Sequence, residues 1–187
     1  MTFWRIAILF PQHFQGVPII EPLRLALYQP DIPQNAGTLL RLSACLGLGA
    51  DIIEPCGFVF DDRKLRRAGM DYLQRAHLIR HSSWDSFRAT LAAEGRRLIL
   101  LTTKAERRHD RFPFAPGDTI MVGRESAGVP SEVAEAAYAR IRIPMVSGPR
   151  SLNVALAAAL VTGEALRQLN AFPPDDDRFE GAGEEAL

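Results

Sequence analysis

The stretch VGRESAGVP, residues 122–130, follows an apolar run typical of a β-strand and sets an acid between glycines. Two other stretches share this design: NAGTLLR at residues 35–41 and IPMVSGPRSLNVAL at residues 143–156. Each places backbone N–H groups and short polar side chains between a strand and a helix, where open α/β sheets bind their ligands. Any one of them alone is compatible with an ordinary loop. Together they predict an α/β fold with a ligand site built from three loops.

Strands and helices alternate outward from these loops. Short apolar runs predict strands at residues 23–28, 51–54, 76–80, 97–102, 118–122 and 140–143. Helical patterns with start and stop signals predict helices at residues 34–48, 61–68, 83–93, 131–137 and 151–169. Ser83 is the expected N-cap of the third helix. This alternation predicts a single α/β domain with a mostly parallel sheet and helices on both faces.

Length and charge divide the chain into three parts. Its 187 residues, 47% hydrophobic and 24% charged, suffice for one domain with a full core. Residues 23–172 carry 20 lysines and arginines against 15 acids, whereas residues 173–187 carry one arginine against six acids. We therefore expect a mildly basic domain followed by an acidic, disordered tail. Residues 1–22 precede the first strand and are compatible with either a genuine N-terminal extension or a misplaced translation start.

The cysteines and the apolar runs narrow the class of protein. Cys45 and Cys56 lie eleven residues apart, without CxxC spacing or clustered histidines, so the sequence supports neither a metal site nor a disulfide. No run approaches the about 18 to 20 apolar residues of a membrane span. The apolar N-terminus lacks a secretory cleavage site. We expect a cytoplasmic protein with reduced thiols, no metal and no membrane contact.

The glycine pattern separates this chain from the Rossmann proteins. A nicotinamide-binding site would show G-x-G-x-x-G directly after the first strand, and the sequence has no such run there. The absence of a glycine-rich run after the first strand also argues against the common Rossmann methyltransferases, which carry such a loop at that place.

Five stretches, taken in order, closely resemble the SPOUT RNA methyltransferases of the SpoU branch: YQPDIPQNAGTLLRL, IIEPCGFVFDDRKLRRAGMDY, LTTK, GRESAGVP and IRIPMVSGPRSLNVALA. The resemblance covers residues 23–169. It implies a C-terminal deep trefoil knot, a homodimer, and S-adenosylmethionine as cofactor. Within this family, the five stretches most closely resemble enzymes that act on leucine tRNAs. The resemblance therefore implies 2'-O-methylation of the wobble cytidine or uridine. Two alternatives stay open: another tRNA or rRNA ribose as target, or a non-catalytic RNA-binding module of the same fold.

The resemblance gives catalytic roles to five residues: Asn35, Arg41, Glu125, Ser151 and Asn153. The residues alone also allow plainer roles. Glu125 is compatible with a solvated turn carboxylate, and Ser151 or Asn153 with a helix cap. Arg41, on a helix, is compatible with a solvated or salt-bridged cation, and it shares a face with Asn35 only if Asn35 begins that helix.

The three loops contain no histidine, so the usual general base is missing. Arginine keeps its proton to a pH above about 12 and is a poor base. We therefore expect Arg41 to position the ribose phosphate and to stabilise the developing alkoxide, with proton abstraction by Arg41 as the lesser alternative.

Position in the motifs implies the residues that contact the cofactor: Leu101, Gly123, Ile143, Ser151 and Leu152. Basic residues that flank the loops predict a track for tRNA phosphates: Arg63, Lys64, Arg66, Arg67 and Arg150. A second basic group is Arg107, Arg108 and Arg111. Charge runs are most often solvated faces, so both groups also have that plain interpretation.

The last helix carries small apolar residues at helical spacing: Val154, Ala158, Val161, Ala165 and Leu169. Such a stripe packs either on the chain's own sheet or on a second copy of the chain. The resemblance implies pairing through this helix and the opening one.

Overall fold

The computed structural model describes residues 21–59, 77–146 and 151–174. Seven strands lie within them: β1 Leu23–Tyr28, β2 Gly49–Ile53, β3 Leu78–His81, β4 Leu98–Leu101, β5 Arg107–Arg108, β6 Asp118–Val122 and β7 Ala139–Arg142. The α-helices of these residues are α1 Pro33–Cys45, α2 Trp84–Ala93, α3 Ser131–Glu135 and α4 Val154–Leu169. A 3₁₀ turn, His109–Arg111, follows β5.

The strands form one sheet in the order β3-β2-β1-β6-β4-β7-β5, and every neighbouring pair is parallel. In parallel strands the carboxyl ends meet at the same edge of the sheet. The segments after β1, β6, β4 and β7 therefore lie side by side, although they are far apart in sequence. This order brings the three loops together and confirms the predicted fold class.

Helices cover both faces of the sheet because side chains alternate along each strand. On one face, α1 and α4 pack against a cluster that includes Leu25, Ile120 and Ile141. On the other, Phe87 of α2 and Val133 of α3 join a second cluster. Burial on both faces explains why these strands read as continuous apolar runs.

The apolar stripe of α4 packs on the chain's own sheet. Ala158, Val161 and Ala165 have no exposed surface and belong to the main core cluster. The apolar side chains that α4 exposes are Leu156 and Leu160. A second copy of the chain would therefore meet a different face of α4 from the predicted stripe.

A buried polar network joins the first three strands. The Arg24 side chain donates from Nε to Asp51 Oδ2 at 2.7 Å and from Nη1 to Glu21 Oε2 at 2.6 Å. The ring nitrogen Nε2 of His81 lies 2.8 Å from Asp51 Oδ1. A Cβ at Gly49 would lie 1.9 Å from Glu21 Oε2, so the network leaves room only for glycine there.

The structure differs from the predicted elements mainly at their ends. Ser83 caps α2 as predicted, with its side chain accepting from Ser86 N. The last helix begins at Val154 because Asn153 caps it. Strand β5 was missed, since two arginines show no apolar pattern.

Several predictions fall outside the described residues: the helix at 61–68, most of the N-terminal extension and most of the acidic tail. The trefoil knot also stays a prediction, because residues 147–150, which lead into α4, are outside them too.

Candidate active site

A cavity of about 780 Å³ opens at the carboxyl-terminal edge of the sheet. Its lining includes all five residues predicted to contact the cofactor: Leu101, Gly123, Ile143, Ser151 and Leu152. Asn35, Glu125 and Asn153 line it as well. A cavity of this size lies within the range of about 300 to 1,000 Å³ that small-molecule sites occupy.

A tight turn after β6 forms one wall of the cavity. Arg124 and Gly128 exchange two backbone hydrogen bonds, of 3.0 and 2.8 Å. A Cβ at Gly123 would lie 2.7 Å from the backbone carbon of Gly128, and Gly128 has a φ of +69°. Both glycines are therefore needed for this turn.

Hydrogen bonds between side chains connect the three loops. Asn35 Nδ2 donates to Glu125 Oε1 at 3.1 Å, and Asn153 Nδ2 donates to Asn35 Oδ1 at 3.0 Å. At the far end, Asn153 Oδ1 accepts from the backbone N–H groups of Ala155 and Leu156 at the start of α4. The carboxylate, two amides and a helix terminus form one chain across the mouth of the cavity. The structure thus brings together three of the five predicted catalytic residues.

Asp31, which was not among the predicted site residues, also joins this chain of hydrogen bonds. Its carboxylate accepts from the backbone N–H groups of Glu125 at 3.0 Å and Ser126 at 3.3 Å, and from the Ser126 hydroxyl. Its own N–H donates to Glu125 Oε2 at 3.2 Å. The sequence signal that could have identified Asp31 is its place in the stretch YQPDIPQNAGTLLRL, where it directly precedes Ile32 and Pro33.

The two carboxyl groups have opposite pKa shifts. Partial burial raises the pKa of Glu125, and the neighbouring Asp31 carboxyl adds to the rise. The contact with Glu125 and the donors from Ser126 and the backbone lower the pKa of Asp31. Asp31 therefore stays ionised, and Glu125 is the first of the pair to take up a proton as the pH falls.

Arg41 lies apart from this group. Helix α1 begins at Pro33, so Asn35 already lies within the helix, and at about 100° per residue Arg41 points about 120° away from it. Asn35 and Arg41 therefore do not share a face of α1. Arg41 is exposed and is not among the residues that line the cavity. Ser151, the fifth catalytic candidate, lies in the lining of the cavity.

The cations at the cavity differ from those that the sequence favoured. Arg63, Lys64, Arg66, Arg67 and Arg150 lie outside the described residues. Lys104, Arg124 and Arg140 line the cavity, and none of the three takes part in an ion pair within the described part of the chain. Glu125 and Glu135 lie in the same lining, so the cavity has a small excess of positive charge, which suits an anionic substrate.

Three negative findings apply to residues 21–59, 77–146 and 151–174. No histidine of these ranges lines the cavity. No group of three or more histidine, cysteine, aspartate or glutamate side chains is placed to hold a metal ion. No helix there is both long and apolar enough to cross a bilayer.

The parallel sheet, the cavity at its carboxyl-terminal edge and the linked loops define an enzyme of the SpoU methylase class. The model of the SpoU rRNA Methylase family matches residues 22–163, and the chain belongs to this family. A relative from Beijerinckia indica, named tRNA (cytidine(34)-2'-O)-methyltransferase, is 60% identical over 148 residues, covering 79% of this chain and 92% of the relative.

Solved structures agree with this assignment. One, on the 2-OH methylation of C/U34 on tRNA, has a TM-score of 0.73 and 39% identity and covers 80% of this chain and 97% of that one. The SpoU methyltransferase AviRb from Streptomyces viridochromogenes, in complex with the cofactor AdoMet, has a TM-score of 0.70 and 25% identity. That match covers 82% of this chain and 63% of AviRb.

Proposed function

We propose that this chain is a tRNA 2'-O-methyltransferase that transfers the methyl group of S-adenosylmethionine to the ribose of the wobble nucleotide, cytidine or uridine 34. The observation that carries the proposal is the hydrogen-bonded chain Glu125–Asn35–Asn153, which connects all three loops at the mouth of the cavity. In this proposal the reaction takes place in the cytoplasm. Leucine tRNAs are the substrates to test first.

The residues that line the cavity fit the cofactor. The turn at Gly123 and Gly128 allows a ligand to approach the backbone closely, and Leu101, Ile143 and Leu152 supply apolar walls. Bound there, S-adenosylmethionine would supply an electrophilic methyl group, which passes to the 2'-oxygen as its bond to sulfur breaks and S-adenosylhomocysteine leaves. No metal is required for this chemistry.

The chain's own residues orient the ribose and its hydroxyl. Asn35 and Asn153 have their amides fixed in one direction, because each donates from Nδ2 to the next acceptor. Their arrangement holds the loops that frame the 2'-hydroxyl. Arg41 contacts the ribose phosphate and stabilises the charge that develops on the oxygen, as a cation rather than as a base.

The wobble nucleotide suits a protein of this size. It is unpaired in tRNA, so it enters a cavity without the cost of melting a helix. Lys104, Arg124 and Arg140 lie where phosphates next to the target nucleotide would pass. The cluster at residues 63–67 and Arg150 extend this track in our proposal.

The enzyme acts as a homodimer in this proposal, and the surface that supports it is the outer face of α4. Leu156 and Leu160, four residues apart in α4, are 62 and 54% exposed. Residues spaced by four lie on one side of a helix, so they make a continuous apolar strip. A second copy of the chain offers an identical strip, as a two-fold interface requires. The exposed position of Arg41 on α1 then lets it act on RNA held at the partner's cavity.

The test is methylation of leucine tRNA transcripts by the purified protein with S-adenosylmethionine and EDTA. We expect one methyl group at the ribose of nucleotide 34, mapped by mass spectrometry after nuclease digestion. A transcript with 2'-deoxycytidine at position 34 is the matched control and should accept none. Methylation that persists on the deoxy transcript, or that needs added metal, would refute the proposal. Mapping of tRNA from a deletion strain identifies the cellular isoacceptors.

A further inference from the structure

Asp31 is fixed between two loops. On one side its carboxylate accepts the three hydrogen bonds from Glu125 and Ser126, and its N–H returns one to Glu125. On the other side lies Gly57, whose N–H donates to Pro30 O at 2.9 Å. A Cβ at position 57 would lie 2.8 Å from Asp31 Cβ and 2.9 Å from its Cα. The absence of a side chain at Gly57 is what lets Asp31 reach the turn after β6.

We propose that Asp31 is a positioning residue for methyl transfer, whose carboxylate holds the turn after β6 so that Glu125 keeps its contact with Asn35. The inference rests on the proposed function, because that turn and Asn35 both belong to the cavity assigned to methyl transfer. It adds a residue in contact with neither the cofactor cavity nor the ribose. Asp31 is not among the residues that line the cavity.

The contacts demand a carboxylate of this length. Both oxygens of Asp31 face donors, Oδ1 the N–H of Glu125 and Oδ2 the N–H and hydroxyl of Ser126. An asparagine keeps one acceptor, and its NH₂ group would face a donor, leaving both without a partner. A glutamate is one methylene longer in a space already closed by Gly57.

The Asp31 carboxylate also affects the proton affinity of Glu125. Its proximity adds to the rise in the pKa of Glu125 above the ordinary value of 4.5 that burial causes. Ionised Glu125 accepts from Asn35 Nδ2 and Asp31 N, and protonation removes part of that acceptor capacity. Activity should therefore fall as the pH falls through the pKa of Glu125, and the midpoint of that fall should depend on Asp31.

The experiment compares three variants with two controls. Asp31→Asn removes the charge, Asp31→Ala removes the acceptors, and Gly57→Ala displaces an intact Asp31. Ser126→Ala deletes only the hydroxyl donor, and Asp85→Asn is the matched change at an exposed carboxylate on α2. The readouts are kcat and KM for methyl transfer to tRNA, their pH profiles from pH 5 to 9, calorimetric affinity for S-adenosylmethionine, and thermal unfolding.

We expect Asp31→Asn, Asp31→Ala and Gly57→Ala each to lower kcat by about 100-fold, the loss that a misplaced catalytic group causes. Ser126→Ala should lose about threefold, because one of three donors is removed. Asp85→Asn should match the wild type. In Asp31→Asn the acid midpoint of kcat should move to lower pH, since the neighbouring charge that raises the pKa of Glu125 is gone.

The outcomes separate this inference from the proposed function. A wild-type protein that neither binds S-adenosylmethionine nor methylates tRNA refutes the proposed function. A wild type that does both, with Asp31→Asn and Gly57→Ala equally active, overturns the role of Asp31 alone. Reduced unfolding temperature with an unchanged acid midpoint in Asp31→Asn also overturns it, because a purely structural residue would behave in this way. If Gly57→Ala does not fold, the shift in Asp31→Asn decides.

Discussion

Asn153 uses both ends of its side-chain amide. Its Oδ1 caps α4 through Ala155 and Leu156, and its Nδ2 donates to Asn35. The two interpretations that the sequence left open, a helix cap and a site residue, therefore apply to the same side chain. The capped N–H groups are already satisfied, so a ligand would meet the amide of Asn153 and the neighbouring Ser151 rather than a bare helix terminus.

Two substitutions separate these uses. Asn153→Asp keeps the oxygen that caps α4 but loses the donor to Asn35, whereas Asn153→Ala loses both. We expect Asn153→Ala to lower the free energy of unfolding by about 1 kcal/mol, the usual value of a cap, and Asn153→Asp to lower it less. Both should reduce kcat. Urea denaturation and methyl-transfer kinetics measure the two effects, and an active Asn153→Asp would remove the contact with Asn35 from the mechanism.

Arg41→Ala tests the proposed cation at the ribose. We expect kcat to fall by about 100- to 1,000-fold, as when one electrostatic donor to a developing oxyanion is lost. Affinity for S-adenosylmethionine should not change, because Arg41 does not line the cavity. Arg41→Lys keeps the charge and should recover part of the rate. A variant that retains most of its turnover would exclude Arg41 from catalysis.

At the scale of elements, the network of Arg24 determines how β1, β2 and β3 are held together. Arg24 and Asp51 are 5 and 3% exposed, so their charges have little contact with water and depend on each other. The network lies away from the cavity, because no residue of the network is among those that line the cavity.

Breaking this pair should affect stability without affecting chemistry. Removing one partner of a buried ion pair leaves the other charge uncompensated, so we expect Arg24→Ala to lower the free energy of unfolding by about 3 to 5 kcal/mol. Arg108→Ala is the control, because both partners of its pair with Asp110 are exposed. Chemical denaturation measures both, and kcat of the folded Arg24 variant should stay near that of the wild type. Equal stability of the two variants would contradict this expectation.

Most elements could be predicted from the sequence, for particular reasons. Strands 23–28 and 118–122 match β1 and β6 because they are fully buried and flanked by turns. Helix α1 ends at Cys45 rather than at residue 48, because Gly47, with a φ of +66°, turns the chain before β2. Strand β5 exists only because it pairs with β7, which no local pattern shows.

Across the whole molecule, the sequence located the loops of the site but not their contacts. Glycines and polar residues after apolar runs are local signals, so residues 35, 125 and 153 were found. The bond that fixes Asp31 joins residues 94 positions apart, and only the order of the strands brings them together. The angle between Asn35 and Arg41 depended on the first residue of α1, where sequence signals are least reliable.

The proposed dimer can be tested through its apolar strip. Light scattering at micromolar concentration should give about twice the monomer mass of 20.7 kDa. Leu156→Asp and Leu160→Asp together should give monomers, because a charge would then be buried at a two-fold interface. Arg88→Asp, on the exposed side of α2, is the control and should remain a dimer. A fully active wild-type monomer would exclude the dimer.

Mixing two inactive variants tests whether the site is shared. If Arg41 acts at the partner's site, a mixture of Arg41→Ala with a variant of the cluster at residues 63–67 forms heterodimers in which one site is intact. About a quarter of wild-type activity should return, since half of the dimers are mixed and each has one working site. No recovery in a mixture that exchanges subunits would place Arg41 and the cluster in the same subunit's site.

The pairing of β1 with β6 has a consequence for how the protein acquires its activity. Leu23 lies opposite Asp118 at the centre of the sheet, so a long loop must close before this pair contributes any stability. Helix α4, which completes the cavity, follows every other described element. A growing chain therefore gains no partial ability to bind its cofactor during synthesis. We therefore expect cofactor binding to appear only after α4 has packed on the sheet.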